Sequence, residues 1–244
     1  MSRRVVVTGI GVISPVGIGK DNFWNSLMAG KSGIGPITHF DPAEYSTRIA
    51  GQVNEFVPEN LLDKKEAKRM DRNTQFSIAA SKLAIEDSGI DLEKIDKRRA
   101  GVIVATGIGG VSTMHDQYET LFAKGPNRIS PFFVPMMIAN MAAGQTSIQF
   151  GFQGPCLCVV TACTGGTNAI GEATRKIQHG DADMMLAGGT EAAISQAAVA
   201  GFCSMKAMST RNDEPEKASR PFQADRDGFV MGEGAGIMLL ESLD

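Results

Sequence analysis

The chain has 244 residues, 43% hydrophobic and 21% charged, with a formal net charge of −3 at pH 7. Such a balance describes a globular protein able to bury a core, and it excludes disorder, collagen-like repeats and nucleic-acid binding driven by bulk positive charge. No stretch supplies the roughly 18 uninterrupted apolar residues of a membrane helix, and the apolar opening is broken by Thr8, Ser14 and Pro15 without a small-residue cleavage site, so residence in the cytoplasm is expected, with no membrane partner.

Arg4 to Ile10, RVVVTGI, is a β-branched run that stops in glycines and Pro15, as a buried strand does. A short helix is expected over residues 20–30, carrying Phe23, Trp24 and Leu27, and a long surface excursion over about 31–60, rich in Gly, Pro, Asp and Asn. From Asn73 to Ser88 the apolar residues Phe76, Ala79, Ala80, Leu83 and Ala84 recur at helical spacing, with Gly89 as the stop. GVIVAT at 101–106 is a second strand and LCVVTA at 157–162 a third, running straight into Cys163. A helix with Ala169, Ile170, Ala173 and Ile177 on one stripe follows, then strands at 183–189 and 237–241, separated by a polar loop at 209–221. Strands alternating with helices predict an α/β fold, a five-stranded, mostly parallel sheet between helices.

The glycine clusters invite a nucleotide-binding reading and fail it. Gly9 and Gly11 lack a third glycine at position 14, as Gly107 and Gly109 do at 112, and Gly232, Gly234 and Gly236 precede a strand instead of a helix. Tight turns and close backbone approach explain them. Four cysteines are too few for a disulfide scaffold, and with no C-x-x-C pair and His39, His115 and His179 far from them in sequence, a zinc site is not expected, nor is any other cofactor.

Cys163 stands apart, at the junction of an apolar strand with a glycine-flanked helix. That junction presents a side chain at the carboxyl edge of a sheet, where ligand sites collect, and a helix amino terminus favours thiolate over thiol. Gly165 and Gly166 leave room for a substrate carbonyl, and the Cys163 amide is a candidate oxyanion donor. Cys156, Cys158 and Cys203 lack that setting and read as core residues. A buried, inert thiol remains the alternative for Cys163 on these grounds alone.

The motif VVTACTGGTNAIGEA around Cys163 resembles the active-site motif of the β-ketoacyl-acyl-carrier-protein synthases, in particular the elongating type II enzymes of fatty acid biosynthesis. RRVVVTGIGVISPVG, FFVPMMIANMAAG, GDADMMLAGGTEAAI, STRND and SRPFQADRDGFVMGEGAG match the same family in order, so the resemblance covers nearly all of the chain. It implies a thiolase-like fold, of which residues 1–244 form the first of two pseudo-duplicated halves, with insertions at about 31–60 and 110–145. It implies that Cys163 accepts an acyl chain as a thioester, which then condenses with malonyl carried on acyl carrier protein, losing carbon dioxide. Ile108 and Phe202 would line the acyl pocket, and Phe133 would stand near its entrance and a homodimer contact. Lys65, Lys68 and Arg69, extended by Arg128 and Lys206, would dock the acidic carrier protein.

The family's two further histidines and its lysine belong to the second half, which the resemblance places after Asp244, and none of His39, His115 or His179 matches them. The sequence is therefore read as a shortened or naturally split product, from which no appreciable condensation is expected by itself. Two alternatives stay open: a thiolase or starter synthase using coenzyme A thioesters, and a noncatalytic half that dimerises or completes a partner chain.

Overall fold

The computed structural model describes residues 3–243. Strand β1 (Val5–Ser14) turns through Pro15 into the short β2 (Gly17–Ile18) and helix α1 (Lys20–Met28), and a hairpin of β3 (Ile34–Pro36) and β4 (Ile49–Gly51) follows. Helices α2 (Lys64–Ala67) and α3 (Arg72–Ser88) lead to β5 (Ala100–Ala105). Next come α4 (Val111–Lys124), α5 (Phe133–Met137) and α6 (Met141–Phe150), then β6 (Cys156–Leu157) and α7 (Gly165–Gln178). The chain ends with β7 (Met184–Glu191), α8 (Gln196–Ser204) and β8 (Gly234–Ser242). The expected helix over 73–88 is α3, with Asp71 capping its first turn by accepting from the Asn73 amide and Gly89 ending it at φ 69°.

The sheet has six strands in the order β2-β1-β8-β7-β5-β6. β5 runs parallel to β6 and β7, while β1 is antiparallel to β2 and β8, and β8 to β7. The five-stranded, mostly parallel expectation is corrected on both counts. β7 ends and β8 begins at the same end of the sheet, with Glu191 opposite Gly234. The excursion between them returns the chain to the edge it left, so β8 must reverse. The apolar run at 157–162 contributes only Cys156–Leu157 to the ladder, and the rest leads into a single 3-10 turn at Ala162–Thr164.

Helices cover both faces. Val102 and Val104 of β5 point to one side, packing with Phe76 and Ala80 of α3, Ala142 of α6 and Leu239. Ile103 and Ala105 point to the other, packing with Ala169, Ala173 and Ile177 of α7. A strand buried on both faces thus reads as a continuous apolar run. Gly9 and Gly11 let α3 lie directly on β1, since a Cβ at either would meet the Ala84 or Ala80 carbonyl oxygen at 1.9 or 1.8 Å.

The segment 31–60 is not the surface excursion its composition suggests. Ile37, Ile49, Ala50, Val53 and Phe56 are buried, because Glu233 anchors the segment at the foot of β8 by accepting from the Val53 amide at 2.9 Å and both bridging Arg72 at 2.9 Å and meeting His39 at 3.8 Å. The segment 110–145 is mostly helical, formed by α4, α5 and the start of α6.

Candidate active site

Cys163 lies in the 3-10 turn immediately before α7, and its side chain is exposed. Ala162, just before it, adopts φ 51°, in the left-handed region that a residue with a Cβ enters only when its surroundings hold it there. Those surroundings are identifiable. Asn168, one turn into α7, accepts from the Thr161 hydroxyl at 2.7 Å and from the Thr164 hydroxyl at 3.0 Å, so one amide oxygen ties both sides of the thiol's turn to the helix. Gly165 brings the start of α7 against β5, where a Cβ would meet that of Ala105 at 2.8 Å, and Gly166 passes over Gly189 of β7. The elbow is thus clamped to the sheet while its thiol faces outward.

The reading of the other cysteines as core residues is corrected. Cys156 is exposed, and Cys158 and Cys203 are half-buried. Cys156 sits on β6, the edge of the sheet, where no further strand among the described residues covers it. Partial burial pushes the thiols of Cys156 and Cys158 up from their ordinary value, which keeps both protonated near neutral pH, and Cys158 donates to the Ala139 carbonyl at 3.3 Å.

Ile108 is exposed in the turn between β5 and α4. Phe202, on α8, packs with Val111, Ala193 and Val199 and sets its ring edge against Phe229 at 5.4 Å. Phe133, at the start of α5, meets Tyr118 of α4 at 6.2 Å. Lys65, Lys68 and Arg69 are exposed together along α2 and the turn after it, with Asp63 capping that helix through the Lys65 and Glu66 amides. The Arg69 guanidinium lies 5.0 Å over the Phe132 ring, which joins the basic cluster to the start of α5, and it also pairs with Glu66 at 3.8 Å. Arg128 and Lys206 are exposed on separate turns. The histidines are engaged elsewhere: His39 at Glu233, His115 at Glu119, and His179 at the end of α7.

Sequence reasoning missed Asn168 and Glu191. The T-A-C-T spacing followed by an asparagine four residues on is the signal that points to Asn168 as a helix-turn tether. Glu191, at the end of β7, accepts from the Gly107 amide at 2.6 Å and from the Thr106 hydroxyl at 3.0 Å, and nothing in its own neighbourhood of sequence announces those partners.

Comparison with known proteins places this geometry. The family described as "Beta-ketoacyl synthase, N-terminal domain" matches residues 2–244. The chain is 52% identical over 242 residues to a 3-oxoacyl-[acyl-carrier-protein] synthase 2 of Synechocystis sp. and 51% identical to one of Vibrio cholerae, covering 99% of this chain and 58% of each relative. Among solved structures it is similar to the ishigamide ketosynthase/chain length factor, with a TM-score of 0.91 at 32% identity, over 100% of this chain and 59% of that one. It is also similar to a ketosynthase bound to the hexaketide in complex with its type II PKS acyl-carrier protein, with a TM-score of 0.87 at 32% identity over the same shares.

Proposed function

Because the chain belongs to the β-ketoacyl synthase family, whose N-terminal domain it matches from residue 2 to 244, we propose that Cys163 takes the acyl group in a 3-oxoacyl-[acyl-carrier-protein] synthase of fatty acid elongation. The sulfur attacks the carbonyl of a carrier-bound acyl thioester, a new thioester forms on Cys163, and the carrier's thiol leaves with the proton. In the second half-reaction malonyl on the carrier protein loses its terminal carboxylate as carbon dioxide. The resulting enolate carbon attacks the Cys163 thioester, releasing the cysteine and leaving a 3-oxoacyl group on the carrier. The outward-facing thiol on a strained turn, held at both sides by Asn168, is the observation that carries this reading.

The family's histidines have no counterpart among His39, His115 and His179, each of which has its own place, so the step assigned within residues 1–244 is the acylation of Cys163. Ile108 and Phe202 line the acyl pocket and Phe133 stands at its entrance, a placement supported by the layer that α4 and α8 form beyond the turn after β5. Lys65, Lys68 and Arg69, with Arg128 and Lys206 beyond, receive the acidic carrier protein. A surface on which Leu157 of the edge strand β6 is 50% exposed, Val160 beyond that strand 56% and Ile148 of α6 71% is suited to pairing with a second copy. The four free cysteines support residence in a reducing cytoplasm, and among the described residues no helix is long and apolar enough to cross a membrane.

The test is the mass of the Cys163 peptide after incubation with acyl-carrier protein or acyl-coenzyme A. An adduct at Cys163, formed faster from the carrier-bound donor and lost in Cys163→Ala, is expected. A folded protein whose Cys163 reacts with iodoacetamide yet takes an acyl group from neither donor overturns the reading. Charge reversal at Lys65 and Arg69 should raise KM for the carrier-bound donor about tenfold or more and leave a small thioester unaffected, with the difference shrinking in salt. Equal effects on both donors refute the docking surface.

A further inference from the structure

Glu191 is a half-buried carboxylate at the end of β7 that the acylation chemistry does not use. Every hydrogen bond described for it serves the turn between β5 and α4 or its own chain neighbour. Its Oε2 accepts from the Gly107 amide at 2.6 Å, and its Oε1 accepts from the Thr106 hydroxyl at 3.0 Å. The amides of Ile108 and Ala192 add to the set. Thr106 Oγ1 in turn accepts from the Gly109 amide at 3.0 Å, so the carboxylate is bonded to the turn at its start and, through Thr106, at its end.

The turn has little freedom to shift within that clasp. A Cβ at Gly107 would lie 2.9 Å from Glu191 Oε2, and one at Gly109, where φ is +80°, would lie 2.9 Å from the Met137 carbonyl oxygen. The carboxylate fills the space on one side and α5 closes the other. Ile108 is the one residue of 106–109 whose large side chain is free, and it is 42% exposed. Ala105, immediately before the turn, is the residue on which Gly165 and the Cys163 elbow rest.

We propose that Glu191 is a positioning residue that fixes the 106–109 turn and thereby sets how Ile108 meets the acyl chain bound for Cys163. Charge matters to the role. A carboxylate offers acceptors on both oxygens, and a glutamine of the same size offers one acceptor and one pair of donors, which must face either the Gly107 amide or the Thr106 hydroxyl. Burial raises the Glu191 carboxyl above its ordinary value, and the bonds from the turn offset part of that rise.

This inference rests on the placement of Ile108 in the acyl pocket, and the experiment separates the two. Cys163 acylation is followed by intact mass in the full-length protein, using acyl-carrier donors of short and long chain, for wild type, Glu191→Gln, Ile108→Ala and the double variant. A bond to a charged acceptor is worth enough that Glu191→Gln should change the long-to-short rate ratio about tenfold. In the Ile108→Ala background the same substitution should change the ratio by less than about twofold, because the side chain through which Glu191 acts is gone. Alkylation of Cys163 by iodoacetamide, which is too small to need the pocket, should stay within about twofold in every variant.

Independent, additive effects of the two substitutions, or an unchanged ratio in Glu191→Gln, overturn the proposal. Amide exchange of Gly107 and Ile108 supplies the second arm. It should be at least about tenfold faster in Glu191→Gln, and unchanged protection overturns the clasp whether or not acylation is observed. Wild-type protein acylated by no donor, with the exchange result as expected, sinks the proposed function and leaves the clasp standing.

Discussion

Substituting alanine for Gly165 tests how closely the position of Cys163 depends on the contact between α7 and β5. The added Cβ would stand 2.8 Å from that of Ala105, against roughly 3.5 Å for relaxed carbon contact, so one backbone must retreat by about 0.7 Å. Neither can do so cheaply, since Ala105 is 2% exposed at the end of β5, where it pairs with Gly189 of β7. Overpacking of this kind costs about 1–3 kcal/mol, and the gain in helix propensity from Gly to Ala offsets roughly 0.5–1 of that, leaving a net loss of about 1 kcal/mol. The effect on chemistry is larger. Displacements near 1 Å cost up to about 100-fold where reacting atoms must align, so acyl transfer to Cys163 should slow by about 10- to 100-fold. Alkylation by iodoacetamide, which asks little of alignment, should change by no more than a few-fold. The decisive variant is Ala105→Gly together with Gly165→Ala, which removes the overlap and should restore acyl transfer to within about threefold of wild type, despite lower stability. Acyl transfer at the wild-type rate in Gly165→Ala, or no recovery in the double variant, refutes the reasoning.

Other outcomes follow from the ion pairs. Glu233→Ala should destabilise the protein by about 3 kcal/mol in chemical denaturation, because it strips a carboxylate that is 1% exposed from Arg72 and from the Val53 amide. Faster amide exchange confined to residues 49–53 should accompany it, and full protection there would contradict the anchoring role. Asp183, held by Arg99 and Arg3, has its carboxyl lowered to about 2. A lowered carboxyl stabilises the fold above its ordinary value of 3.8 and loses that contribution as pH falls through about 2. With the side chain 45% exposed the effect is discounted to about 1 kcal/mol, and Asp183→Asn should flatten the stability profile between about pH 4 and pH 2.

Much of this arrangement could be read from residue order. The 3.6-residue spacing from Phe76 to Ala84 and the left-handed stop at Gly89 are local properties, and α3 forms where they place it. The helix that begins just after Cys163 is equally local, although the apolar run before it is a strand only at Cys156–Leu157, and the glycines that let α3 lie on β1 are local too. What escaped depends on partners distant in sequence. Strand direction is invisible to periodicity, so the reversal of β8 beside β7 had no signal. The buried hairpin near residue 50 is rich in turn-forming residues, yet its anchor, Glu233, lies 180 positions from Val53. The apolar pattern around Cys156 is that of an interior strand, and only the order of the sheet reveals it as an edge. Glu191 looks like the polar end of a strand until the turn 84 residues upstream is seen to donate to it.

The place of β8 has a consequence for biogenesis. β1 pairs along its length with β8, whose Ser242 lies opposite Val5, and its other neighbour is the two-residue β2. At roughly 5–20 residues per second, on the order of 10–40 s pass between synthesis of β1 and of the partner that fixes its register. Throughout that interval a nascent strand rich in valine lacks its long partner, and its unpaired backbone groups are an open template for pairing with other chains.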